Sequence, residues 1–217
     1  MANIILVFDQ KLRLQTKKVI KPIVIKTGLV RINPDLVSLT GFLFGMGSVL
    51  FILLGHNIIA LCLWLLNRFV DGLDGEVARY RKSRPSNLSD AGGFLDITLD
   101  SIIYAAIPFA IGLARDEKQL WIIIAFLLAA IYVNTVTWAY LAALIEKSKT
   151  AKGEHKTAIV IPSGLIEGTE TIILYSSFLI FFKQAGLLML LMGILVTLTA
   201  LYRFVKSYFA IKRSTNK

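Results

Sequence analysis

The chain has 217 residues, of which 56% are hydrophobic and 18% charged, with a mean hydropathy of +0.68 and a formal net charge of +10. Soluble domains average roughly 45–50% apolar and about 25% charged, so this composition excludes an ordinary cytosolic enzyme, a disordered chain and a collagen-like repeat. A lone cysteine, Cys62, excludes an intramolecular disulfide.

The first 33 residues place seven Lys and Arg between Lys11 and Arg31, interleaved with Leu, Val and Ile and interrupted by Pro22. This pattern predicts a basic amphipathic segment lying on the membrane surface, drawn to anionic lipid. A basic cytoplasmic tail is the alternative. Six apolar stretches follow, at about 35–55, 57–79, 90–114, 119–145, 164–183 and 186–209, each long enough for a helix crossing about 30 Å of hydrocarbon. Asn33-Pro34-Asp35 is a helix start, with a proline and an acid in the first turn. Pro108 is expected to kink the third stretch, and Pro162-Ser163 to start the fifth. The fold expected is an all-α integral membrane bundle of six transmembrane helices. An interfacial segment (1–33) precedes a catalytic domain (34–210), and a basic tail (211–217) follows it.

Positive charge alternates from loop to loop. The N-terminal segment, the loop after the second stretch (Arg79, Arg81, Lys82, Arg84), the loop after the fourth (Lys147, Lys149, Lys152, Lys156) and the C-terminal end (Arg203, Lys206, Lys212, Arg213, Lys217) hold most of it. The intervening loops hold only Arg115, Lys118 and Lys183. The bias places both termini in the cytoplasm of a bacterial-type inner or plasma membrane. It also accounts for the net charge without a nucleic-acid partner.

Four of the eight aspartates, Asp71, Asp74, Asp96 and Asp100, fall in or beside apolar stretches. An ionised carboxylate costs several kcal/mol at the centre of a bilayer, so such residues are functional candidates. Asp71 and Asp74 are spaced i,i+3 and Asp96 and Asp100 i,i+4, so each pair shares one helical face. A short loop joins the two helices, which makes them antiparallel neighbours with the pairs at similar depth, near the cytoplasmic end. Four close carboxylates call for neutralisation. All-oxygen ligands without His or Cys favour Mg²⁺, Mn²⁺ or Ca²⁺, and two such cations suit phosphoryl transfer. The metal-free alternative is salt bridging to Arg68, Arg79 or Arg81. Gly75, Ala78 and Gly92 leave room on the same faces for a ligand, and Arg79 is placed to pair with a phosphate. Gly41-x-x-x-Gly45 reads as a helix packing contact.

The run Asp71-Gly72-Leu73-Asp74-Gly75-Glu76-Val77-Ala78-Arg79, followed by Gly92-Gly93-Phe94-Leu95-Asp96-Ile97-Thr98-Leu99-Asp100, resembles the signature of the CDP-alcohol phosphotransferases. All eight fixed residues of D-x-x-D-G-x-x-A-R…G-x-x-x-D-x-x-x-D are present. The spacer differs: twelve residues, Tyr80 to Ala91, stand where the family usually has eight. The resemblance implies transfer of a phosphatidyl or similar lipid-phosphate group from a CDP-linked lipid, such as CDP-diacylglycerol, to a small alcohol with release of CMP. It implies that Asp71, Asp74, Asp96 and Asp100 hold two Mg²⁺ or Mn²⁺ ions, and that Asp100 is also the general base on the acceptor hydroxyl. It further implies that Gly75, Ala78, Arg79 and Gly92 shape the CDP pocket, and that the protein is a homodimer.

The acceptor is less defined. Glu167 and Glu170, i,i+3 at the start of the fifth stretch, form with Lys156 a candidate acceptor pocket; the acidic pair favours a cationic or polyol alcohol. An anionic acceptor would instead use Lys152, His155, Lys156 and Arg203. The structural alternative is that Glu167 and Glu170 pair with Arg68 or Lys156. Clustered intramembrane acids also admit a divalent-cation transporter or a metal-binding membrane scaffold.

Overall fold

The computed structural model describes residues 34–82, 90–151, 162, 164 and 166–215. The proposed interfacial segment 1–33, most of the spacer between the two half-motifs, and Lys152, His155 and Lys156 lie outside the described residues. Among those described there are six α-helices and no strand: α1 (Pro34–Leu53), α2 (Asn57–Lys82), α3 (Asp90–Arg115), α4 (Lys118–Ala151), α5 (Gly168–Ile180) and α6 (Ala185–Thr215), with a 3-10 turn, Phe182–Gln184, between the last two.

Four of these, α1, α3, α4 and α6, are long and apolar enough to cross a membrane, which makes the chain an integral membrane protein. α2 has the length, but from Arg68 onward it carries Arg68, Asp71, Asp74, Glu76, Arg79, Arg81 and Lys82. α5 departs from the expected 164–183. It has only 13 residues, about 20 Å at 1.5 Å per residue. It starts at Gly168 rather than at Pro162, because Glu167 and Glu170 form a capping box at that point. α3 continues through Pro108. α4 and α6 run further than the apolar stretches that predict them, α6 into the expected basic tail.

Tight turns join the helices at one end of the bundle. After α1, Gly55 adopts φ +77°, His56 N–H donates to Phe51 O at 2.8 Å and Gly55 N–H to Ile52 O at 3.0 Å. This is a Schellman closure, which needs a left-handed residue that glycine supplies without a Cβ penalty. After α3, Asp116 takes the equivalent left-handed role at φ 48°. Arg115 then donates to Phe182 O at 3.1 Å and Lys183 O at 3.0 Å, tying this turn to the one before α6.

α1 packs against both α2 and α3, α4 packs along α6, and α5 leans on α2 and α6, joining the two groups. Apolar burial does not drive helices together in lipid, so close approach and cross-helix hydrogen bonds must. Both are present. A Cβ on Gly45 would lie 2.6 Å from Ile103 Cδ1, and one on Gly41 3.3 Å from Val70 Cγ1, so the glycine pair on α1 is a packing contact. At the α2–α3–α5 junction, fully buried Trp64 stacks on Tyr175 at 5.3 Å between ring centres. There Trp64 Nε1 donates to Ser176 Oγ at 3.2 Å, and Tyr175 O–H to Tyr104 O at 2.7 Å. Towards the turn end of the bundle the core is Ile52, Ala60, Ile107, Ile111, Leu120, Ile124 and Met189, all apolar.

Candidate active site

Asp71, Asp96 and Asp100 line one cleft between α1, α2 and α3, together with Ser38, Gly41 and Asn67. The helical spacings read from the sequence produce this convergence. Asp71 lies fourteen residues beyond the start of α2 and Asp100 fifteen before the end of α3. At 1.5 Å per residue both sit about 21–23 Å from the turn end of the bundle.

The cleft has a resident cation. Arg68, one turn before Asp71 on α2, reaches across to α3, where Nη1 donates to Asp100 Oδ2 at 2.8 Å and Nη2 donates to Asp100 Oδ1. The guanidinium also contacts Asp71 Oδ2 at 3.5 Å and donates to Tyr104 Oη at 3.1 Å and, through Nε, to Asn67 Oδ1 at 2.8 Å. Two aromatic rings lie beside it, with the Trp64 ring centre 4.9 Å and the Tyr104 ring centre 5.1 Å away. Asn67 Nδ2 in turn donates to Gly41 O at 2.9 Å, so one hydrogen-bonded chain links α1, α2 and α3. The Arg68 side chain is only 5% exposed. The ion-pair alternative raised from the sequence is therefore realised at Arg68, and its main partner is Asp100. Among the described residues no three acidic side chains converge on one metal-sized position.

Asp74, Gly75, Ala78 and Arg79 occupy the last turns of the α2 backbone, and their side chains lie outside the described residues. Gly92 sits in the first turn of α3, where an added Cβ would be 3.3 Å from Asp35 Oδ1. The first turn of α1 thus borders the position assigned to the nucleotide. Asp35 was legible only as a helix-start acid, because its neighbour is 57 residues further along the chain.

Glu167 and Glu170 do not line this cleft. Glu167 Oε1 accepts the Gly164 N–H at 2.9 Å, and Glu170 Oε2 accepts the Glu167 N–H at 3.2 Å. Arg68 pairs with neither, so that part of the structural alternative is corrected. Nearby, buried Arg203 donates to Asn134 Oδ1 at 2.6 Å, joining α6 to α4.

A family model described as CDP-alcohol phosphatidyltransferase matches residues 31–205. The inner membrane protein YnjF of Escherichia coli (strain K12) is 35% identical over 185 residues, covering 83% of this chain and 85% of its own length. Two crystal structures of Mycobacterium tuberculosis phosphatidylinositol phosphate synthase share the fold. One, with CDP-DAG bound, has a TM-score of 0.66 and 21% identity, covering 88% of this chain and 94% of that one. The other, in complex with manganese and citrate, has a TM-score of 0.62 and 20% identity, covering 89% and 88%. The motif on α2 and α3, the cleft it lines and a family match that covers α1 to α5 and most of α6 agree: this chain belongs to the CDP-alcohol phosphatidyltransferase family and is a membrane transferase of phosphate-containing groups.

Proposed function

We propose that the chain transfers a phosphatidyl group from a CDP-linked lipid such as CDP-diacylglycerol to a small alcohol and releases CMP. The observation that carries this reading is the convergence of Asp71, Asp96 and Asp100 on one cleft at the motif-bearing ends of α2 and α3. Family membership, and a fold shared with a synthase crystallised with CDP-DAG, support it. The apolar core of the turn end speaks against a conduction path, which needs polar groups through the whole depth.

The donor set is carboxylate oxygen, which suits Mg²⁺ or Mn²⁺. Asp71, Asp74, Asp96 and Asp100 would hold two such ions in the working complex. When bound, they would neutralise the diphosphate and stabilise the departing CMP. Gly75, Ala78, Arg79 and Gly92 form the CDP pocket in this reading, with Arg79 pairing to phosphate. Asp100 takes the proton of the acceptor hydroxyl. Its ion pair with Arg68 uses one lone pair on each oxygen, and a carboxylate has about four such sites, so acceptor capacity is left. Glu167, Glu170 and Lys156 belong to the acceptor side in this reading, and Glu167 and Glu170 stand at the same end of the bundle as the aspartates.

By the positive-inside bias that end faces the cytoplasm, as do both termini, and α2 and α5 cross with the other four helices to make six spans. Residues 1–33 lie on the membrane surface, residues 34–210 form the catalytic domain, and two copies form a homodimer. The test offers the purified full chain CDP-diacylglycerol, Mn²⁺ or Mg²⁺, and a panel of glycerol phosphate, inositol, inositol phosphate, serine, choline and ethanolamine. CMP release with one lipid product is expected. No CMP with any acceptor would overturn the reading.

A further inference from the structure

Asn67 and Arg68 are consecutive buried polar residues on α2, and neither belongs to the eight fixed motif residues. Such side chains persist in a membrane helix where they are paired and serve a site. Here each is fixed by the next. Gly41 O can only accept and Arg68 Nε–H can only donate, so the Asn67 amide fits in one orientation. Its Nδ2 donates to Gly41 O at 2.9 Å and its Oδ1 accepts from Arg68 Nε at 2.8 Å. Held at Nε, the guanidinium presents Nη1 and Nη2 to the two oxygens of Asp100. Two parallel donors restrain the rotation of a carboxylate, which a single donor does not. Asp71, the local i,i+3 neighbour, receives only one contact, at 3.5 Å. The grip also comes from the buried side. Arg68 does not line the cleft and its side chain is 5% exposed, whereas Asp100 lines the cleft and is 26% exposed.

We propose that Arg68, oriented by Asn67, is a positioning residue for the transfer. It holds the Asp100 carboxylate at one angle from behind and leaves its open side to the acceptor hydroxyl. The inference rests on Asp100 being the base, as in the reading above. Arg68 acts through Asp100, and Asn67 acts through Arg68. An aligned base lowers the barrier of the chemical step without adding to the binding of either substrate, so the effect belongs to kcat.

The test measures CMP release by the purified full chain with CDP-diacylglycerol, Mn²⁺ and the acceptor that gives product in the panel above. It reads kcat per folded chain and KM for both substrates, at a temperature below the unfolding of every variant. Arg68→Lys keeps the charge but offers one point of attachment, so kcat should fall at least about fivefold with both KM values within about twofold of wild type. Asn67→Leu leaves Arg68 in place but unanchored, and should lower kcat by a smaller factor. Because the two residues act as one unit, the double variant should fall no further than Arg68→Lys alone. A smaller fall in Arg68→Lys, a loss confined to KM, or losses that multiply in the double variant would overturn the proposal. A lowered melting temperature with unchanged kcat would show a structural role alone and overturn it too. If Arg68→Lys does not stay monodisperse, Asn67→Leu decides by the same split between kcat and KM. Asp100→Asn separates the levels. If it abolishes turnover while these variants behave as wild type, the base stands and the positioning role falls. Wild-type turnover in Asp100→Asn, or no CMP from the wild-type chain, would overturn the reading itself and this inference with it.

Discussion

Arg68 on α2 and Asp100 on α3, 32 residues apart in the chain, meet as a two-point ion pair in which each carboxylate oxygen accepts one guanidinium N–H. The pair also sets how strongly the two motif-bearing helices are held together. Removing one partner of a buried pair leaves the other charge uncompensated. Arg68→Met is therefore expected to cost about 3 kcal/mol, the low end of the usual range because Asp100 is a quarter exposed. Arg68→Met with Asp100→Leu should recover most of that loss, since neither buried charge remains. Thermal unfolding of the detergent-solubilised protein checks both, and a single variant as stable as wild type would show that the pair does not hold α2 to α3.

Asp71→Asn and Asp100→Asn keep the shape of the side chain and remove its charge. Each should lower CMP release by at least about 100-fold, the usual contribution of a positioned base or metal ligand. Membrane fractionation should find both variants inserted. Wild-type turnover in either would remove that residue from the proposed site.

Chelation should abolish turnover. Mn²⁺ or Mg²⁺ should restore it, and Zn²⁺ should not substitute well, because the assigned ligands are all carboxylates. Turnover unaffected by a chelator would exclude metal assistance.

Glu170 has a structural duty, accepting the Glu167 N–H at the start of α5. Glutamine serves a capping box as well as glutamate does. Glu170→Gln should therefore leave stability within about 0.5 kcal/mol of wild type, whereas Glu170→Ala should lose about 1 kcal/mol. The acceptor KM separates the two roles. A several-fold rise in Glu170→Gln is expected from the proposed acceptor pocket, and an unchanged KM would leave only the cap.

Gly45→Val should push α1 away from α3, because a Cβ alone would already sit 2.6 Å from Ile103 Cδ1 and 2.8 Å from Cγ1. Overpacking of this kind costs about 1–3 kcal/mol. The loss should appear in thermal unfolding and in a slackened cleft, since Gly41 on the same helix lines it. A variant as stable and active as wild type would show that α1 can shift freely.

Much of this protein was legible before its fold. Composition named the solvent, because no soluble core needs this much apolar sequence. Helical periodicity put Asp71 with Asp74 and Asp96 with Asp100 on single faces, whereas it is packing on α1 that brings α2 and α3 together. The α5 boundaries were not legible: apolar length says where a helix can run, whereas the start at Gly168 depends on local backbone hydrogen bonds from Glu167 and Glu170. The choice of partner for Arg68 was likewise decided only by tertiary structure. Along the chain its neighbour is Asp71, three residues away, and the sequence offered the four aspartates as well as Glu167 and Glu170 as its partners. The register of α2 against α3, with Trp64 and Tyr104 walling the guanidinium, brings both Asp100 oxygens to it. Sequence alone determined that four acids lie in a membrane protein, by composition and period. Which of them already holds a cation was settled by the tertiary packing that brings α2 and α3 together on α1.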